Sequence, residues 1–185
     1  MNKIEKLCGS YGKYIAVPWR SDAAAAQRVV FCVYDEDDER KLRARVGEFE
    51  TETQRLGHGW AIFDLTDTFP VWLSSQRYRQ RYFEKPELMS TLMPNYLAFI
   101  TKEFEKFLEA QKVSENTVVA LMGVGSLFGF LKVKEVIEKC APLVEGRLLV
   151  FFPGTYENNN HRLLDAYDDW NYLAVTITAN EKELQ

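Results

Sequence analysis

Four nearly continuous apolar runs, Arg28–Tyr34, Trp60–Thr66, Thr117–Gly123 and Arg147–Phe152, restrict what this chain can fold into. They are short and rich in Val, Leu and Phe, and three of them carry no polar alternation. A strand wet on one face alternates; a strand covered on both faces does not. A fifth run, Tyr172–Thr178, sets Leu173, Val175 and Ile177 against Ala174, Thr176 and Thr178, so one of its faces is less buried. Between the first and second runs, Leu42, Val46, Phe49 and Leu56 fall on one stripe of a helix from Asp37 to about Leu56. Acids crowd its first turn, and Gly57 and Gly59 close it.

Helical pattern then dominates from about 68 to 111. Pro86 and Pro94 each suit a first helical position, and Leu97, Ile100, Phe104, Phe107 and Leu108 form the inward stripe of the longer helix. The stretch Phe69–Phe83 is aromatic, arginine-rich and helical in character, and a last helix is expected over Val133–Cys140. Strands alternating with helices pair in parallel through right-handed crossovers. The sequence therefore predicts one α/β domain over 1–185, a three-layer Rossmann-like sandwich. It has about five mainly parallel strands and a helical insert between strands 2 and 3. Asp64 in the second run and the alternation of the fifth put both near the edges. The order 2-1-3-4-5 satisfies this and sets the ligand crevice between the first and third strands.

The length suffices for a core, since domains of 185 residues bury roughly 70% of their unfolded surface. With 23 basic and 27 acidic residues the net charge is −4, a poor match to phosphate backbones, so direct nucleic-acid binding is not expected. Cys8, Cys32 and Cys140 are scattered and lack C-x-x-C or His/Cys spacing, which argues for free thiols and a cytoplasmic setting. The longest apolar stretch, Val118–Leu131, is broken by glycines and too short to span a bilayer. No membrane association is expected.

Three segments could carry chemistry. Asp35 and Asp37 form a D-x-D after the first strand, as in magnesium-dependent phosphatases with an aspartate nucleophile, and Asp168-Asp169 could supply a later acidic pair. Asp38 stands where such enzymes carry a small or apolar residue, and helix capping accounts for the same acids. Gly123-Val124-Gly125-Ser126-Leu127-Phe128 lacks the third glycine of a dinucleotide fingerprint and the lysine of a phosphate-binding loop. Pro153-Gly154-Thr155-Tyr156 and the Asn158–Asn160 run read as a polar loop, suited to a ligand, a partner or solvent. No catalytic residue, metal or cofactor is expected. The alternative is a magnesium-dependent phosphatase or nucleotide-binding enzyme with a degenerate site.

Gly123–Phe128, Leu148–Tyr156, and Asn160–Leu164 followed by Trp170-Asn171-Tyr172-Leu173 resemble the BrxB family of BREX (bacteriophage exclusion) defence systems. Family members often carry Pro-Phe where this chain has Gly129-Phe130, a departure that bears on its place within the family. No catalytic residues come with the resemblance. It implies bacterial cytoplasm, and neighbours that include the alkaline-phosphatase-like PglZ, an adenine DNA methyltransferase and a large ATPase. A non-catalytic adaptor fits that setting, with PglZ as the first-choice partner. The expected contact residues are Phe128, Phe130, Tyr156, Arg162 and Trp170, because aromatics and arginines anchor interfaces.

Overall fold

A computed structural model describes residues 2–164, 166–170 and 174–180. The chain opens with α1 (Lys3–Ile15), a helix that the strand-and-helix reading above leaves unassigned. Its signals are local: Asn2 and Glu5 form a reciprocal cap, and Ile4, Leu7, Tyr11 and Ile15 fall on one buried stripe. Then come β1 (Val29–Tyr34), α2 (Glu39–Arg55), β2 (Gly59–Asp64), α3 (Thr68–Ser75), α4 (Arg79–Glu84) and α5 (Met93–Ala110). They are followed by β3 (Thr117–Met122), α6 (Val133–Cys140), β4 (Arg147–Glu157), β5 (Asn160–Leu163), β6 (Ala166–Trp170) and β7 (Val175–Ile177). Of the fifth apolar run, the portion before residue 174 lies outside the described residues.

The class is the expected one, a parallel sheet flanked by helices in a Rossmann-like sandwich. The strand order is not. The sheet runs β2-β3-β4-β1-β7, with every pair along it parallel, so the five runs stand as 2-3-4-1-5 rather than 2-1-3-4-5. Both orders put the second and fifth runs at the edges and the three fully apolar ones inside, so burial alone cannot separate them. The crossover face does. The β1-to-β2 connection passes over β4 and β3 in one direction, carrying α2 on the same face as α1. The next two connections step back the other way, carrying α3, α5 and α6 on the opposite face. Equal handedness of the crossovers requires that change of face.

Side chains divide accordingly. Val30, Cys32 and Tyr34 of β1, with Leu149 and Phe151 of β4, meet Leu7, Tyr11, Leu42 and Phe49. Phe31 and Val33, with Val150 and Phe152, face Ile100, Phe104, Val136 and Ile137. Both cores are dry enough to raise thiol pKa values: burial pushes Cys140 up to about 12, and Cys32 well above the ordinary range. Neither thiol will react with a maleimide at pH 8 until the chain is unfolded in urea, a difference that mass spectrometry reads directly.

The segment after Phe152 is the second correction. Pro153 and Gly154 do not open a loop; β4 runs on to Glu157 and turns through Asn158 and Asn159 into β5. Both asparagines have positive φ, 52° and 63°, the backbone of the two-residue turn that matches strand twist, and asparagine tolerates it. Gly154 allows the pairing. A Cβ there would overlap the Arg162 carbonyl oxygen and approach its carbon to 3.0 Å and the Leu164 nitrogen to 3.1 Å.

Candidate functional site

The carboxyl ends of the strands carry most of the residues expected to act, and the new strand order rearranges them. The crevice between oppositely directed connections falls between β4 and β1, not between the first and third strands. The extension of β4 occupies it and leaves a cleft of about 250 Å³ lined by Tyr34, Asp35, Thr155, Tyr156, Thr178 and Asn180, among others.

The acidic run after β1 is engaged locally. The Asp35 carboxylate accepts from the Asp37 amide at 3.1 Å and lies 3.8 Å from Lys3 Nζ. Asp38 is buried and holds Lys41 Nζ at 2.5 Å. Capping and pairing thus explain these residues. Among the described residues, no group of His, Cys, Asp and Glu could hold a metal ion. Asp168 and Asp169 lie on β6.

A polar chain crosses the same edge. Tyr34 donates to Glu39, whose other oxygen takes Arg43 Nε at 2.7 Å. Arg43 reaches on to Asp64 at 2.9 Å and to the Thr66 hydroxyl at 2.8 Å. Burial pushes the Asp64 carboxyl up, but Arg43 and the two Thr66 donors more than offset it, leaving Asp64 below its ordinary range. Burial and the Glu39 carboxylate together keep the Tyr34 phenol protonated far above its usual range. Gly123 closes against this chain with φ of 76°. A Cβ there would overlap Thr66 Oγ1 and Asp64 Oδ1, so close packing, not a phosphate, is what the first glycine of the motif serves. Ser126 directs its hydroxyl at the Gly123 carbonyl, 2.6 Å away.

The five expected contact residues separate into two places. Phe128 is 46% exposed, on the turn after β3. Phe130, two residues on, is half-buried and stacks on Phe69 of α3, ring centroids 3.9 Å apart and planes within 19°. This contact joins the β3 turn to the helical insert. Tyr156 and Arg162 stand on the hairpin, Arg162 exposed and opposite Thr155, Tyr156 half-buried beside His161 and bonded to Asn159 at 3.1 Å. Trp170 is opposite His161 on β6.

Two further features lie outside the five expected contact residues. Besides Phe128, the exposed large hydrophobics among the described residues are Val71, Tyr78 and Phe83, all on the insert, and Val17. The aromatic and arginine density of Phe69–Phe83 is the sequence signal for the first three. At the amino edge of the sheet, a cleft of about 680 Å³ is walled by Trp19 stacked on His58 at 3.9 Å. The buried Arg147 sets its guanidinium 4.7 Å from the same indole. His58 is held by Asn116 at 2.6 Å. These residues are far apart in sequence, and only the fold assembles them.

No helix among the described residues is long and apolar enough to cross a membrane. A family model described as BREX protein BrxB matches residues 69–177, more than half of the chain, from the start of α3 to the end of β7. No curated protein and no solved structure matches.

Proposed function

From the premise that this chain belongs to the BrxB family and is a component of a BREX defence system, we propose that it is a non-catalytic adaptor holding another protein of that system. The alkaline-phosphatase-like PglZ is the proposed partner, in bacterial cytoplasm. One observation supports the reading above others: Val71, Tyr78, Phe83 and Phe128 leave apolar surface exposed on the insert and on the turn that stacks against it. Exposed aromatics of this kind are the usual anchors of interfaces. The proposed contact set is Phe128, Phe130, Tyr156, Arg162 and Trp170, with the insert beside the first two.

The purified protein is expected to form a stable complex with purified PglZ in size-exclusion chromatography. Phe128→Ala should weaken it by about 2 kcal/mol or more, as a hot spot does, with the melting temperature unchanged. Arg162→Ala should act likewise from the hairpin. Undiminished capture by variants at all five positions, each melting normally, would place the interface elsewhere, on the aromatic, arginine-rich segment Phe69–Phe83.

The same preparation is expected to hydrolyse neither ATP nor a generic phosphate ester with magnesium. The motivation is that Asp35 and Asp38 are committed to capping and to Lys41, and Ser126 to a backbone carbonyl. Turnover that disappears in Asp35→Asn would replace the adaptor with a phosphatase.

A further inference from the structure

The insert carries a charge arrangement unlike the rest of the surface. Between residues 76 and 85 stand Arg77, Arg79, Arg81 and Lys85 against a single carboxylate, Glu84, in a chain of net charge −4. All four cations are exposed. Four other arginines are matched: Arg20 to Asp22 at 2.9 Å, Arg43 to Glu39 and Asp64, Arg45 to Glu5 and Glu48, and Arg55 to Glu52 at 2.6 Å; the exposed Arg40 and Arg162 are unpaired among the described residues but stand singly. Arg77, Arg79 and Arg81 make no ion pair with any described residue. Arg79 spends one bond on the Ser74 carbonyl at 3.4 Å, and the Arg77 guanidinium lies 5.5 Å from the Tyr78 ring.

The apolar side of the same segment is equally open. Tyr78 and Phe83 are 58% and 63% exposed. On α4, Arg79 and Phe83 are four residues apart and therefore neighbours on one side, while Arg81, two residues from each, lies on the other. Three guanidinium groups within five residues repel one another, and the Tyr78 and Phe83 rings beside them stay wet. An acidic chain laid across this segment would relieve both at once. Arginine accepts a carboxylate with two parallel bonds, and its planar head stays stacked while doing so. A nucleic acid fits less well: the basic run is one short turn, and Glu84 and Glu87 close it off.

We infer that this segment seats an acidic stretch of a partner protein wrapped across α4, its carboxylates on Arg77, Arg79 and Arg81 and an apolar side chain against Tyr78 and Phe83. The inference rests on the adaptor reading and names the chemistry of the partner's contact.

The test measures binding of purified PglZ, methyltransferase and large ATPase of the same system to the full chain. Arg77→Glu, Arg79→Glu and Arg81→Glu combined should weaken the complex at least about tenfold with an unchanged melting temperature. Raising NaCl from about 50 to about 500 mM should weaken the wild-type complex but not the residue left by the triple variant. A combined Arg→Gln variant at the same positions serves if the acidic one does not fold. Phe83→Ala should weaken binding several-fold while the remaining binding keeps its salt dependence. If the wild type binds and all these variants keep its affinity within about twofold, the acidic-segment inference falls while the adaptor reading stands. If the wild type binds none of the three proteins, the adaptor reading falls and this inference falls with it. Tight binding of a single-stranded oligonucleotide, lost in the triple variant, would assign the face to nucleic acid and overturn the inference.

Discussion

Replacing Phe49 by alanine is expected to cost about 3–5 kcal/mol, as large-to-small changes of fully buried rings do, and to lower the melting temperature by roughly 8–15 °C. Phe49 has no exposed surface and is the point at which three elements meet. Its ring centroid lies 5.4 Å from Tyr11 of α1 and 5.0 Å, edge-on, from Phe151 of β4. The cavity cannot close easily, because Tyr11 is itself pinned through its hydroxyl to Thr53, one turn further along α2, at 2.6 Å. The loss should therefore include a cavity term as well as lost transfer energy. Phe128→Ala is the control, expected within about 0.5 kcal/mol of the wild type since its ring packs on no core. A Phe49→Ala variant that loses less than about 1 kcal/mol in urea unfolding would mean that α2 is not locked to the sheet in this way.

Gly154→Ala is expected to open the β4–β5 hairpin. The added methyl has nowhere to go: it would overlap the Arg162 carbonyl, a backbone group that a rotamer change cannot move. Separating the two strands costs the ladder from Gly154–Leu163 to Glu157–Asn160, and it lifts Leu163 from the core that it shares with Phe31 and Phe152. A loss of about 2–3 kcal/mol follows, or roughly 5–10 °C in melting temperature. Hydrogen exchange should show the effect as local: amides of 155–163 lose protection while those of β3 keep theirs. Protection lost evenly across the sheet would mean that the hairpin is part of the global folding unit. Because Tyr156 and Arg162 ride on this hairpin, the variant also tests whether their spacing matters to the partner.

The sequence carried the class of the fold, and it did so through burial. β1, β3 and the first part of β4 are apolar without alternation because each is covered on both faces, as the inner strands of a parallel sheet between helix layers are. Asp64 and the alternation at Val175–Ile177 marked the two edges for the same reason. The stripes of α2, α5 and α6 were legible because helical period is a local property. The stripe and cap of α1 were equally local. The family resemblance rested on short motifs around Gly123 and Gly154, and the match to the BrxB family over 69–177 agrees with it.

Tertiary structure decided what burial could not rank. Three interior strands have the same apolar signature in any permutation, so placing β1 between β4 and β7 depended on which face α2 covers, the face it shares with α1 through Phe49 and Tyr11. Pro153-Gly154 read as a loop because proline and glycine usually break strands; here the glycine is what lets two backbones approach. Phe128 and Phe130 had equal standing in the sequence, and only the stack on Phe69, more than fifty residues earlier, separates an exposed ring from a packed one. Periodicity reports how much of a residue is covered. Which neighbour covers it is a matter of long-range packing, and for this chain that packing set the strand order, the hairpin and the exposed aromatic face.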